Sequence, residues 1–314
     1  MPKISVCIPT FNRFQLLPFA IESVLNQSEQ DFELIICDDG SSDRTPEIVS
    51  KYTDNRIKYI RHPQNIGKSN NMRSGFDAAS GEYLIKFDDD DRLTSDFLYK
   101  TATILDLDPS LDFVGTDHWL IDIHNVRDEE KTRQNSQYWG RSDLLPGVVP
   151  NLLEVVFVRQ SFQIGATLFR RQTLVDVGFM MPNWQNCEDN DLFVRLALAG
   201  KKAYYLPELL MEYRVHAEQQ GIHRAIPYLQ DKIRYLASYQ LPSPELEKIR
   251  LNRLAQTQLI LGLRLIEQGE TVKGRELVLS GKSAGGVKAF IGLGCSLLPI
   301  GWRSLAFQIL RELR

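Results

Sequence analysis

The sequence predicts an α/β protein: a mostly parallel central sheet with helices on both faces, followed by a C-terminal helical extension. Three observations carry this. Short runs rich in β-formers alternate with helix-like stretches over the first third of the chain. Those runs are near-continuously apolar, as strands covered on both faces are. From about His223 onward the strand signals stop and helical spacing takes over.

Taken in order, strands are expected at 4–8, 32–37, 57–60, 83–87 and 113–116, with helices between them at 14–26, 45–52, 67–79 and 95–107. The stretch 117–162 is less regular and holds Trp119, Tyr138, Trp139 and a Pro/Gly-bearing segment, 145–150. A strand at 164–169, a helix at 189–199 ended by Gly200 and a strand at 203–206 follow. Helices are then expected at 227–239, 245–268 (stopped by Gly269) and 271–280. This divides the chain into domains 1–222 and 223–314. In the tail, the uncharged run 289–302 is broken by Pro299 and is too short for a comfortable membrane span. Arg303, Arg311 and Arg314 lie just beyond it. A helical pair packed on the domain is the favoured reading; a membrane-surface helix, making peripheral contact at the inner face, is the sharper one.

Composition narrows the function. The 314 residues are 43% hydrophobic and 25% charged, with a net charge of −3, as in ordinary globular proteins with ample length for a core. That balance gives no support to nucleic acid as a partner. Cys7, Cys37, Cys187 and Cys295 are too few and scattered for a disulfide framework, and none forms a CxxC pair. Cys7 and Cys37 read as small buried hydrophobes. The N-terminus has no long apolar signal core, so a cytoplasmic location is expected.

In sheets of this kind, ligands bind beyond the C-terminal ends of the strands. Three such ends are polar: Pro9-Thr10-Phe11-Asn12-Arg13, Asp38-Asp39-Gly40-Ser41-Ser42-Asp43 and Asp88-Asp89-Asp90-Asp91. Gathered carboxylates suit a hard divalent cation, Mn²⁺ or Mg²⁺, although an acidic run is also the usual form of a solvated loop. Asp38 and Asp39 could accept hydrogen bonds from a base or ribose, while Gly40 turns the chain and Ser42 or Asp43 caps the next helix. Lys68 and Arg73 could neutralise a phosphate near a helix N-terminus, or simply sit on a surface helix. Glu188, Asp189 and Asp191 open a helix; acids there favour the macrodipole, but one near an acceptor could take its proton. His216, in Tyr213-Arg214-Val215-His216, becomes a candidate metal ligand only because the chain already supplies an acidic site.

Together the stretches SVCIPTFNR (5–13), CDDGSSDRT (37–45), NIGKSNNMRSG (65–75), FDDDD (87–91), EDNDLFVRL (188–196) and YRVH (213–216) resemble the family 2 glycosyltransferases. They occur in that family's order and cover roughly residues 1–218. The resemblance implies the GT-A nucleotide-sugar fold and an inverting transfer from a nucleoside-diphosphate sugar, UDP-linked, to a glycan, lipid-linked or small-molecule acceptor. By the same resemblance, Pro9, Thr10, Arg13, Asp38 and Asp39 hold the nucleoside and part of the diphosphate, with Lys68, Arg73, Asp88 and Asp89 beside them. Asp90, Asp88 and His216 hold the cation, Asp189 is the base with Glu188 beside it and Asp191 as the alternative, and Gly165 faces the donor sugar and acceptor. Many members carry Arg-Asn where this chain has Met72-Arg73, a one-place shift that turns the arginine by about 100° around a helix.

Asp189 and Asp191 differ by about 200° on a regular helix. Leu192, Phe193 and Leu196 share the Asp189 face, so Asp189 is expected to turn inward and Asp191 to face solvent or cap the helix. Acceptor choice is expected in 119–150 and around Trp184. A nucleotidyltransferase is the nearest rival, but its usual Gly-rich loop is missing from Pro9–Arg13. A non-catalytic sugar-nucleotide-binding protein has no need of both acid groups.

Overall fold

The computed structural model describes residues 1–216 and 222–312, the side chains of 222–224 and 309–312 excepted. The chain forms two compact units, Met1–Gln219 and Gln220–Arg314.

The first unit begins with β1 (Ile4–Thr10), α1 (Leu17–Leu25), β2 (Phe32–Asp38), α2 (Thr45–Val49), β3 (Ile57–Arg61), α3 (Lys68–Ala78) and β4 (Tyr83–Lys86). It continues through β5 (Arg92–Leu93), α4 (Phe97–Leu107), β6 (Phe113–Ile121), α5 (Glu129–Tyr138), β7 (Gly147–Val148) and α6 (Leu152–Glu154). It closes with β8 (Thr167–Arg170), α7 (Arg171–Val177), α8 (Glu188–Leu198) and β9 (Ala203–Arg214). The sheet order is β3-β2-β1-β4-β8-β6-β9-β5, with β7 also on β9. The half from β3 to β4 is parallel, β6 and β9 pair parallel, and β8 runs antiparallel between β4 and β6. Every residue of β1 is buried, as the apolar run implied.

Register sets the site. Thr10 pairs with Asp38, Asp38 with Arg61, and Cys7 with Lys86. Three parallel strands therefore release their polar ends along one edge. Between them Gly40 turns the chain at φ +75°, where a Cβ would lie 2.7 Å from the Gln64 backbone.

Several expectations need correcting. Residues 164–166 form a 3₁₀ turn, and β8 begins only at Thr167. The strand expected at 203–206 continues to Arg214: Pro207 has no N–H for the ladder, so the pairing skips from Leu206 to Leu209 and resumes beyond this irregularity. The irregular middle holds α5, whose residues show little apolar periodicity; the Asp128 carboxylate accepts the Lys131 N–H at 2.9 Å and caps it. No side chain caps α2, although Asp43 accepts the Thr45 amide at 2.9 Å. All four cysteines are free and buried, and burial pushes the Cys37 thiol up to about 12.

The second unit comprises α9 (Ile222–Ala237), α10 (Pro244–Gln268), α11 (Thr271–Ser280), α12 (Gly286–Cys295) and α13 (Ile300–Glu312). Its largest core cluster joins Leu259 and Ile266 of α10 to Val278, Ala289, Cys295 and Phe307. Among the described residues, no helix is long and apolar enough to cross a membrane.

Candidate active site

The end of β4 meets the start of α8 at a buried lysine. Lys86 is 1% exposed; its ammonium donates to Asp88 Oδ1 at 2.6 Å and lies 4.0 Å from Asp189 Oδ2. Alongside, Lys68 at the first turn of α3 pairs with the buried Glu188 at 2.5 Å. Two cations thus interleave with Asp88, Glu188 and Asp189. Burial works against the charge on Lys86, yet Asp189 and Asp88 hold its ammonium above its usual range. Lys86 was not among the sequence candidates. Its signal was present, however: a lysine closing the apolar strand Tyr83–Lys86 immediately before an acidic run.

The acids are tuned differently. Burial would raise Asp88, but Lys86, Lys68 and Arg13 hold it below the ordinary carboxylate value. Asp89 is pushed up to about 7, first by burial and then by the charge on Asp90, against the pull of the Thr10 hydroxyl and Arg13. Burial, with Asp90 and Asp88, drives Asp91 well above its usual range. Asp189 is raised to about 6, chiefly by burial, with Glu188 adding to it and Lys86 and Lys68 opposing. A carboxyl near 6 is ionised at neutral pH and is still basic enough to take a proton.

β9 holds the acid run from the other side. Asp91 accepts the Arg214 amide at 2.8 Å, and the fully buried Arg214 guanidinium donates to the Asp90 carbonyl at 2.5 Å. Two residues on, His216 Nε2 stands 2.9 Å from Asp90 Oδ2. Asp91 and Arg214 therefore fix the backbone of the run, while Asp88, Asp89 and Asp90 present carboxylates. Arg214 is a second residue missed from sequence; in Tyr213–His216 it looked no different from a surface arginine.

Among the described residues, no three His, Cys, Asp or Glu side chains stand together as a ready-made metal cage. The donor chemistry nevertheless fits a hard divalent cation: four successive carboxylates crowd the strand end, Asp91 Oδ2 is buried without a hydrogen-bond partner, and Asp90 Oδ2 stands 2.9 Å from His216 Nε2. Such a cation takes one or two carboxylates and completes its shell with water and phosphate oxygens. Asp90 and His216 would hold it, with Asp88 next to them.

The Asp38-Asp39 turn departs from expectation. Neither carboxylate is free. Asp38 accepts Ser41 N–H at 2.8 Å and the Tyr59 hydroxyl at 2.5 Å. Asp39 accepts the amides of Ile66 and Gly67 at 2.7 and 3.1 Å, which fastens the loop that opens α3. Pro9 and Thr10 are buried at the end of β1, and the Thr10 carbonyl accepts the Asp39 amide. Arg13 reaches from this turn to Asp89, 3.7 Å away. Buried Gly165 lies in the 3₁₀ turn before β8.

Two further assignments are corrected. Arg73 does not face a phosphate position: its guanidinium donates to the carbonyls of Gly178 and Met180 at 3.0 and 2.7 Å. Asp191 does not face solvent. It is 2% exposed and pairs with Arg195, which also donates to the carbonyls of Val177 and Phe179. Asp189 keeps about a third of its side chain exposed at 32%. The one-face argument fails because α8 is covered on most sides, with Asp191, Leu192, Phe193 and Val194 all buried. Trp184 is likewise buried, its amide donating to Ser69 Oγ at 2.9 Å.

Residues 5–145 match the model of the family described as Glycosyl transferase family 2. An uncharacterized glycosyltransferase of Nostoc sp. strain PCC 7120 is 30% identical over 227 residues, covering 71% of this chain and 68% of that protein. The chain belongs to glycosyltransferase family 2. A GalNAc(5)-diNAcBac-PP-undecaprenol beta-1,3-glucosyltransferase of Campylobacter jejuni is 48% identical over 99 residues, 30% of this chain and about a third (32%) of that enzyme's length. Among solved structures, S. aureus TarS 1–349 in complex with UDP-GlcNAc superposes with a TM-score of 0.62 at 16% identity, covering 94% of this chain and 90% of that one. The mannosyltransferase PcManGT of Pyrobaculum calidifontis, in complex with GDP-Man and Mn²⁺, gives 0.59 at 18% identity, over 98% and 83% of the two chains. At these identities the structures establish the fold, which is of the GT-A type.

Proposed function

We propose that this family 2 member is an inverting hexosyltransferase. It moves a sugar from a nucleoside-diphosphate donor, UDP-linked, to an acceptor hydroxyl in polysaccharide, glycan or glycolipid synthesis. The observation that carries the reading is the placement of Asp189. Its carboxyl, raised to about 6, stands at the mouth of the strand-end acid group, 4.0 Å from Lys86.

Asp189 takes the acceptor's hydroxyl proton as the acceptor oxygen bonds to the anomeric carbon; the bond to the diphosphate breaks and its electron pair leaves with the diphosphate. Lys86 and Lys68 keep Asp189 ionised at neutral pH. Arg13 and Thr10 border the acid run where the diphosphate would lie, and Asp38 and Asp39 shape the nucleoside pocket by holding loops. A divalent cation, Mn²⁺ or Mg²⁺, would supply charge neutralisation for the departing diphosphate when bound. The Mn²⁺ in the PcManGT complex and the UDP-GlcNAc in the TarS complex support the cation and the donor class. The Campylobacter relative supports a lipid-linked acceptor; peripheral contact of the second unit at the cytoplasmic face of the membrane is the accompanying proposal, which the apolar run 289–302 supports.

A panel of UDP- and GDP-sugars tests this, with hydrolysis and transfer followed in the presence of Mn²⁺, Mg²⁺ or EDTA. Cation-dependent turnover of one donor, lost in Asp189→Asn with donor affinity kept, is the expected result. Turnover that persists in Asp189→Asn would remove Asp189 from the reaction.

A further inference from the structure

The end of the second unit exposes an apolar edge of unusual construction. α12 and α13 bury Ala289, Cys295 and Phe307 in their own core. Outward they present Val287, Phe290, Leu297, Ile300, Trp302 and Leu305, with Phe290 80%, Leu297 76% and Trp302 67% exposed. The turn between the helices reads Leu297-Leu298-Pro299-Ile300. Surface turns are normally polar, because water must satisfy their backbone groups. Here the protein does so itself. Buried Arg303 donates from Nε to the Leu298 carbonyl at 2.8 Å and from Nη2 to the Ser296 carbonyl at 2.8 Å. Its Nη1 anchors the same group to Ile266 and Thr271 of the neighbouring helices. The amides of Leu297, Leu298 and Trp302 donate to Gly294, Cys295 and Pro299. Arg303 is therefore a brace for the turn rather than a cation facing outward.

Charge names the occupant. From 281 to 311 the sequence contains Lys282, Lys288, Arg303 and Arg311 and not one Asp or Glu, within a chain of net charge −3. Lys282 and Lys288 are exposed, Lys288 next to Val287 in the first turn of α12 and Lys282 just before that helix. A turn with carbonyls held by Arg303, aliphatic and aromatic side chains pointing out, and two exposed lysines on the segment leading into it is matched to the interfacial zone of an anionic bilayer, with Glu270, next to the Gly269 that Ile300 adjoins, the acid at its edge.

We propose that the α12–α13 turn is a wedge that inserts Leu297, Ile300 and Trp302 into the acyl boundary of an anionic phospholipid membrane, with Lys282 and Lys288 on the headgroups. This rests on the peripheral-membrane part of the function proposed above and not on its transfer chemistry.

Flotation of the full chain with phosphatidylcholine vesicles, with and without phosphatidylglycerol, tests it. Wild type should float with the anionic vesicles, and brominated lipids should quench its fluorescence less in Trp302→Phe. Leu297→Ser/Ile300→Ser should lower the bound fraction by on the order of tenfold or more, since each inserted aliphatic side chain contributes about that factor. Lys282→Glu/Lys288→Glu, at exposed positions that spare the core, should abolish the preference for phosphatidylglycerol. Equal flotation of wild type and both double variants would overturn the proposal. So would a concentration-dependent dimer, lost in Leu297→Ser/Ile300→Ser, in a protein that never floats; that result assigns the edge to a second copy. Sugar transfer to a soluble acceptor should be the same in all variants. Flotation without any transfer would refute the enzymatic reading and leave the wedge standing.

Discussion

Asp38-Asp39 and Asp88–Asp91 look alike in sequence: each is a group of acids released from an apolar strand of one parallel sheet. In the folded chain they are opposites. The first pair accepts the amides of Ser41, Ile66 and Gly67 and the Tyr59 hydroxyl, so its charge is met by fixed donors. In the second group Asp91 accepts one amide, and the burden of burial and mutual repulsion pushes Asp89 to about 7. Carboxylates satisfied by backbone N–H groups build loops. Those left with uncompensated charge remain available to a cation or a substrate.

Five substitutions sharpen or break this contrast. The largest effect is expected at Asp189, where Asp189→Asn should lower transfer on the order of 10²–10⁴-fold, the usual worth of a positioned base. The base acts ionised, so wild-type rate should climb with pH through about 6 and then level. Lys86→Met removes a cation that lowers Asp189, so this limb should move to higher pH. A limb that stays in place would separate Lys86 from the base.

Next comes Asp39→Ala, which leaves the Ile66 amide without its acceptor and should cost about 1–3 kcal/mol of stability. Denaturant midpoints unchanged from wild type would show that Asp39 does not hold the loop.

Asp89→Asn should behave in the opposite way. Its folded value, about 7, lies above the ordinary carboxylate value, so the cost of its charge is absent in acid and stands in full only above about 7. Without metal, Asp89→Asn should therefore gain stability over wild type as pH rises through that window, by about 1–2 kcal/mol after allowance for screening. Melts in EDTA at acid and alkaline pH check the sign; added Mn²⁺ should erase the gain. The smallest effect on activity is expected at Asp191→Asn, within a few-fold of wild type. Its buried pairing with Arg195 should show in melting temperature instead.

Much of this was legible in the residues. Apolar runs ending in polar segments marked β1, β2 and β4 and the edge where they converge, because strand burial and loop chemistry are local. Lys86 could have been read the same way. Asp191 and Arg73 could not. Where the carboxylate and guanidinium point depends on carbonyls at 177–180, supplied by a segment more than ten residues from Asp191 and more than a hundred from Arg73. α5 escaped for another reason: a polar helix without apolar periodicity carries no pattern to detect.

By itself, then, the sequence determined the alternation of strands and helices, the glycine at the β2 turn and the order of the acid motifs; periodicity, backbone sterics and composition act within a few residues. Tertiary structure alone decided which acids are spent and which are available. That depends on donors brought by other elements: Ile66 and Gly67 to Asp39, Lys86 to Asp189, Arg214 and His216 to the run at 88–91. A carboxylate's role follows from the charges and N–H groups around it, and those are set by packing between segments remote in the chain.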